Sequence, residues 1–235
     1  MLRSVKELIG YKLNELDGEI GKVHDIYFDD VSFGLRYLVA DTGTWLEERL
    51  TLISPQALEK PDWENNLFPI NLTKEKIENS PSVDTHKPVS LQNETDVTSY
   101  YGWPAYWSGA SPGFTWSLNT LPSDYARRRY QERTSRFNYN AVAEEDIHLR
   151  SAKEIIGYKI QAKDDKIGDV EDFIVEDDIW NIRYMVVDTG GLILPGKKSL
   201  IGIQWIKDID WSENKVFVDM TVDDIKNSPE NEYKL

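Results

Sequence analysis

Histidine is the usual general base and transition-metal ligand near neutral pH, and this chain has three: His24, His86 and His148. No H-x-x-x-H or H-E-x-x-H spacing joins them, so surface or linker positions are expected. Acidic runs occur at Asp29-Asp30, Glu176-Asp177-Asp178 and Asp223-Asp224. They lack the alternating ligands, glycine turn and terminal glutamate of a calcium loop, and are expected to end strands, discourage edge pairing or cap a helix. Neither a G-x-x-x-x-G-K-[ST] phosphate loop nor a G-x-S-x-G nucleophile elbow is present. With zero cysteines, thiolate nucleophiles, disulfides and cysteine-ligated metal sites are excluded. These residues predict no enzyme: no catalytic, cofactor-binding or metal-binding residue is expected, and no cofactor.

One polar set occurs twice, as Arg36, Asp25 and Asp41 and again as Arg183, Asp172 and Asp188. Within a strand Arg36 and Asp41 have opposite parity and face opposite sides, so they cannot pair directly. The expectation is an ion pair from Arg36 to Asp25 on the preceding strand, and from Arg183 to Asp172, fixing strand register. An anion site on each copy is the alternative. Aromatic residues supply the other concentration of chemistry. Eleven of the 27 aromatics fall between Tyr100 and Tyr139, among them Trp103, Tyr106, Trp107 and Trp116. Arg127, Arg128 and Arg129, followed by Arg133 and Arg136, form the only basic cluster. Three readings stay open for this stretch: packing between or across the neighbouring domains, docking of a partner protein, or stacking on nucleic acid.

The elements that must position these residues come from an internal repeat. Arg3-Ser4-Val5-Lys6-Glu7-Leu8-Ile9-Gly10-Tyr11-Lys12 returns as Arg150-Ser151-Ala152-Lys153-Glu154-Ile155-Ile156-Gly157-Tyr158-Lys159. Arg36 to Gly43 returns as Arg183 to Gly190, Asp62-Trp63 as Asp210-Trp211, and Asn79-Ser80-Pro81 as Asn227-Ser228-Pro229. Residues 1–81 and 150–235 are thus two copies of one domain, separated by a segment over 82–149. Ser4 with Glu7 and Ser151 with Glu154 fit a capping box, so each copy opens with one helical turn. Thr221 to Asp224 begins a short closing helix; Thr73 to Lys76 is its weaker counterpart. Asp17-Gly18 suits a tight hairpin turn. Runs rich in Val, Ile, Phe and Tyr predict strands over 20–29, 35–41, 50–53 and 67–72, and over 167–176, 182–188, 200–203 and 216–220. Short strands in about 80 residues without long alternating helices predict a small antiparallel barrel or sandwich, closed against edge pairing. Residues 82–99 are polar and proline-bearing, as a linker is.

The sequence resembles the PRC-barrel family, named for the cytoplasmic barrel of the photosynthetic reaction-centre H subunit. The residues that carry the likeness are Asp17-Gly18-Glu19-Ile20-Gly21-Lys22-Val23, Phe28-Asp29-Asp30, Arg36 to Val39, Asp41-Thr42-Gly43 and Leu52-Ile53-Ser54-Pro55. In the second copy they are Lys166 to Phe173, Trp180 to Tyr184 and Pro195 to Lys198. The likeness to tandem two-barrel bacterial proteins extends to Tyr100-Tyr101-Gly102-Trp103-Pro104 and His148 to Ser151. It implies an all-β chain of two small antiparallel PRC-type β-barrels with short terminal helical turns, joined by the aromatic-rich segment. Family members serve as reaction-centre subunits and as part of a ribosome maturation factor, so the fold alone does not name an activity.

Charge bounds the partners. The 41 acidic and 27 basic residues give −14, spread as −6 over 1–81, −2 over 82–149 and −6 over 150–235. That acidity disfavours nucleic acid, which needs clustered cations. No apolar run reaches the ~20 residues of a membrane-spanning helix, and the opening residues lack a secretory h-region. A cytoplasmic protein is expected. The reading that follows is a non-catalytic scaffold or adaptor that binds an unknown protein partner through barrel surfaces and through Trp103, Tyr106, Trp107, Trp116, Arg127, Arg128 and Arg129. A peripheral component of a membrane or photosynthetic electron-transfer complex and a ribosome- or RNA-associated assembly factor are the alternatives; self-association is open.

Overall fold

Alternation of β-branched and aromatic residues between Gly, Asp and Asn turns builds a mostly-strand protein in the computed structural model, which describes residues 1–15, 18–30, 32–43, 49–83, 91–103, 149–190 and 196–231. The first copy runs β1 (Leu2–Ser4), α1 (Val5–Leu8), β2 (Lys12–Glu15), β3 (Gly18–Asp29), β4 (Leu35–Asp41), β5 (Leu50–Ile53), β6 (Leu67–Pro69) and α2 (Lys74–Glu78). A longer helix, α3 (Leu91–Tyr101), follows. The second copy runs β7 (Leu149–Ser151), α4 (Ala152–Ile155), β8 (Lys159–Gln161), β9 (Lys166–Glu176), β10 (Asn181–Asp188), β11 (Lys198–Gly202), β12 (Ile206–Asp210), β13 (Lys215–Val218) and α5 (Val222–Asn227). The short helices start where serine or threonine caps them. Ser4 and Ser151 accept from the amides of Glu7 and Glu154, and α5 carries a complete capping box between Thr221 and Asp224. Helix α2 forms without an acidic fourth residue, because Thr73 still accepts from the Lys76 amide. Asp17 of the expected Asp17-Gly18 turn lies outside the described residues, and Gly18 begins β3.

The strands make two mixed sheets, in the orders β5-β4-β3-β2-β6 and β11-β10-β9-β8-β13-β12. The strand-rich class is as expected, with the sheets mixed rather than wholly antiparallel. Among the described residues each ladder is an open path, and each contains one parallel pairing, β2 with β6 and β8 with β13. The long connection between the paired strands makes the parallel arrangement available. Gly21 and Gly168 hold the two longest strands against their neighbours: a Cβ there would lie 2.0 Å from the Asp41 carbonyl oxygen and 1.7 Å from that of Asp188.

Each copy gives its first strand to the other. β1 pairs antiparallel with β9, Ser4 opposite Ile174, and β7 pairs with β3, Ser151 opposite Tyr27. The exchange has a local two-fold axis. Gly34 bridges its own counterpart Asn181; the Leu35 amide donates to the Trp180 carbonyl at 2.8 Å and the Ile182 amide to the Phe33 carbonyl at 2.9 Å. Phe33 and Trp180 reach this geometry at φ of 58° and 50°, a conformation that bulky side chains resist. Burial of Phe33 against Phe28, and packing of Trp180 on Phe68, offset that strain.

One apolar core therefore serves both copies, joining Val5, Leu8, Phe28, Phe33 and Phe68 to Ile155, Phe173, Val175, Met185 and Val216. Phe28 and Phe173 meet across the axis with ring centroids 5.6 Å apart. Residues 91–101, within the stretch expected to be a linker, instead form α3. Its Glu94, Val97, Thr98 and Tyr101 are buried at i, i+3, i+4 and i+7, and Val97 and Tyr101 pack with Tyr27, Tyr37, Val39 and Leu52. Truncating Phe173, which is 1% exposed, to alanine is expected to cost about 3–5 kcal/mol. Because the core is common, hydrogen exchange should then accelerate equally in β4 and β10; acceleration confined to β10 would separate the copies.

Candidate functional site

Serine, aspartate and arginine residues that both copies keep meet at the seam between them. A bulge at His24 in β3, and at Glu171 in β9, shifts the ladder and turns the following aspartate toward the other copy. Asp172 accepts from Ser4 Oγ at 2.5 Å, the Lys6 amide at 3.1 Å and the Phe173 amide at 2.7 Å. Asp25 repeats this with Ser151 Oγ at 2.5 Å, the Lys153 amide at 3.2 Å and the Ile26 amide at 2.7 Å. Each serine thus caps its own helix and donates to the opposite copy's carboxylate.

The expected Arg36–Asp25 and Arg183–Asp172 bridges are corrected by this geometry. Register sets Asp25 opposite Val39 and Asp172 opposite Val186, well along each strand from the arginine. Arg36 is buried, with Nη2 donating to Asp29 Oδ2 at 3.3 Å and Ser32 Oγ at 3.0 Å. Arg183 is exposed and binds Glu176 at 2.6 Å. Asp29 ends β3, as expected of this acidic run, but it and Asp30 are buried at 1% and 0% exposure rather than guarding an edge.

Two arginines complete the seam, and their role between copies was missed in the sequence. Arg150 Nε donates to Asp30 Oδ2 at 3.0 Å while its guanidinium lies 3.8 Å over the Trp211 ring. Arg3 Nε donates to Asp177 Oδ2 at 3.3 Å and lies 4.0 Å over Trp63. Each cation stacks on its own copy's tryptophan and pairs with the other copy's aspartate. Arg3, Arg150, Trp63 and Trp211 all stand in the repeated segments; the repeat was the signal, and it points between copies rather than within one.

Of the aromatic and basic residues expected to bind a partner, Trp103 is described. It is half-buried, stacks on Tyr101 with centroids 4.1 Å apart, and donates its amide to the Thr98 carbonyl at 2.9 Å. Beneath α3, Tyr37 hydrogen-bonds Glu94, and burial holds its phenol well above the ordinary value, with the Glu94 charge adding to the effect. Tyr106, Trp107, Trp116, Arg127, Arg128 and Arg129 lie outside the described residues, as do His86 and His148. His24 Nε2 is 3.5 Å from Lys153 Nζ. Among the described residues no three of His, Asp or Glu come together to hold a metal ion, and no helix is long and apolar enough to cross a membrane. No protein-family model matches the chain, and comparison with curated proteins finds no match.

Charge burial differs between the two arginine clamps, and Arg150→Ala and Arg3→Ala measure the difference. Removing the cation beside fully buried Asp30 is expected to cost about 3 kcal/mol in urea unfolding. Arg3→Ala, in a more exposed pair, should cost clearly less. Equal losses would contradict this. Burial also raises the Asp25 and Asp172 carboxyls above their ordinary 3.8, against the lowering effect of their hydroxyl and amide donors. The fold holds these protons more tightly than the unfolded chain. Their stabilising contribution is therefore complete below pH 3.8 and lost as pH rises through the raised value. Compared with Asp25→Asn/Asp172→Asn, the parent chain should lose stability relative to the variant as pH climbs from below 3.8 through the raised value. Parallel profiles would contradict the shift.

Proposed function

We propose that this chain is a non-catalytic scaffold or adaptor of the PRC-barrel type, working in the cytoplasm and binding another protein through its outer surfaces and the aromatic segment that begins at Trp103. One observation carries the reading. Ser4, Asp25 and Arg3, polar residues that both copies keep, are engaged with their counterparts in joining the copies, whereas half-buried Trp103, stacked on buried Tyr101, stands near the start of the aromatic run. Flat, rigid aromatics with neighbouring arginines are the side chains that dominate protein interfaces. The two copies supply a base for them, and α3 fixes the start of the aromatic run to the first sheet through Val97, Tyr101 and the Tyr37–Glu94 hydrogen bond.

Affinity capture with the parent chain and with Trp103→Ala and Trp107→Ala tests this. Loss of the same captured protein from both variants, by at least about tenfold, is expected if these are interface anchors. The urea midpoint of each variant should stay close to the parent's. Unchanged capture would reject the aromatic surface as the binding element. Co-sedimentation with anionic vesicles or with ribosomal fractions, in place of protein capture, would favour the membrane or ribosome-associated alternative.

A further inference from the structure

We propose that the seam is also a recognition surface for a second copy of this chain, and that two chains can close into a dimer by exchanging their opening arms. The inference is independent of the scaffold reading. It rests on where the arms make their contacts. Residues Leu2–Leu8 place a strand on β9, Ser4 Oγ and the Lys6 amide on Asp172, Lys6 Nζ on Glu171 at 2.8 Å, and Arg3 on Asp177. Residues Leu149–Ile155 repeat the strand, serine, amide and arginine contacts on β3, Asp25 and Asp30. Each copy is thus a receptor for a short strand, a serine and a single helical turn, read by an aspartate and an edge of backbone.

None of these contacts requires both copies to belong to one polypeptide. The first copy of one chain fits the second copy of another through the same bonds, and the reciprocal pair closes the assembly about a two-fold axis. Chain connectivity alone separates the two forms. Residues 104–148 connect Trp103 to Leu149, and a tether sets an effective concentration of millimolar order when short and flexible, falling as it lengthens. Folding in dilute solution favours the single chain, and folding at high concentration favours exchange. The shared core must open before one form becomes the other, so a dimer formed on folding persists on dilution.

The absence of cysteine makes the test clean. Leu2 and Glu176 are direct cross-strand partners. The double variant Leu2→Cys/Glu176→Cys should close an intrachain disulfide on oxidation. Chains carrying Leu2→Cys alone and Glu176→Cys alone, one with a size tag, are then mixed, unfolded in urea and refolded together at about 10 μM and about 1 mM, a range spanning typical effective concentrations. The expected product is a mixed disulfide between positions 2 and 176, exceeding either homodisulfide by about fivefold and rising with refolding concentration. Sedimentation of the unmodified chain refolded at the higher concentration should show a dimer that survives dilution. Closure of the intrachain bond with no excess of mixed disulfide would overturn the proposal. Failure of the double variant to close would overturn it too, by removing the β1–β9 pairing.

Discussion

The carboxylates of Asp25 and Asp172 hold the molecule together in the most literal sense, because each fixes the start of the other copy where that copy's first strand joins its own sheet. A helix of one turn has almost no intrahelical hydrogen bonding and does not persist by itself in water. Helices α1 and α4 exist because Ser4 and Ser151 cap them, and because each serine hydroxyl is oriented by an acceptor from across the seam. The strand before each helix is similarly incomplete. Three residues form a ladder only where another edge receives them, and the receiving edges are β9 and β3. Capping, strand pairing and the shared aromatic core are thus one cooperative arrangement, and the bridge between Gly34 and Asn181 marks its axis.

The two halves of that arrangement have diverged in how they treat charge. In the first copy Asp29, Ser32 and Arg36 form a buried cluster, joined by Asn181 Nδ2 donating to the Ser32 carbonyl at 3.0 Å. The equivalent positions of the second copy are Glu176, Ile179 and Arg183. Glu176 is a methylene longer, and Ile179, at 49% exposure, has no hydroxyl to offer, so the arginine and glutamate pair outside the fold. A buried ion pair needs its remaining hydrogen-bonding capacity met if it is to offset desolvation. The first copy supplies Ser32, whose hydroxyl donates to Asp29 and accepts from Arg36, where the second copy has Ile179.

Much of the architecture is legible in the sequence. The repeat marks the copies, alternation finds the long strands, and the serine and threonine caps locate the short helices. What the sequence does not show is which copy each segment joins. Ser4 and Asp172 are 168 residues apart, and no local pattern connects them. The error at Arg36 has a specific cause: bulges between Val23 and Asp25 and between Tyr27 and Phe28 move the register, so that pairing by simple strand counting reaches the wrong aspartate. Helix α3 is obscured for a different reason. Its inward face alternates Glu94 and Thr98 with Val97 and Tyr101, and a stripe half polar in composition reads as linker until Tyr37 is present to receive Glu94.

Size explains why the copies depend on each other. A domain of about 80 residues buries only a little over 60% of its unfolded-chain surface, which leaves it marginal. Exchange of the arms and fusion of the two cores place Phe28, Phe33 and Phe173 at the centre of a unit twice that size rather than at two thin surfaces. Arg3, Ser4 and Asp25 and their counterparts, common to both copies, are among the residues that make them one body. Differences between the copies must then carry whatever distinguishes this chain from a plain pair of identical units. Helix α3 is the largest of these among the described residues: it covers the outer face of the first sheet and ends in the Tyr101–Trp103 stack. Because the seam joins that sheet to the second copy, the stack stands on a base that both copies share.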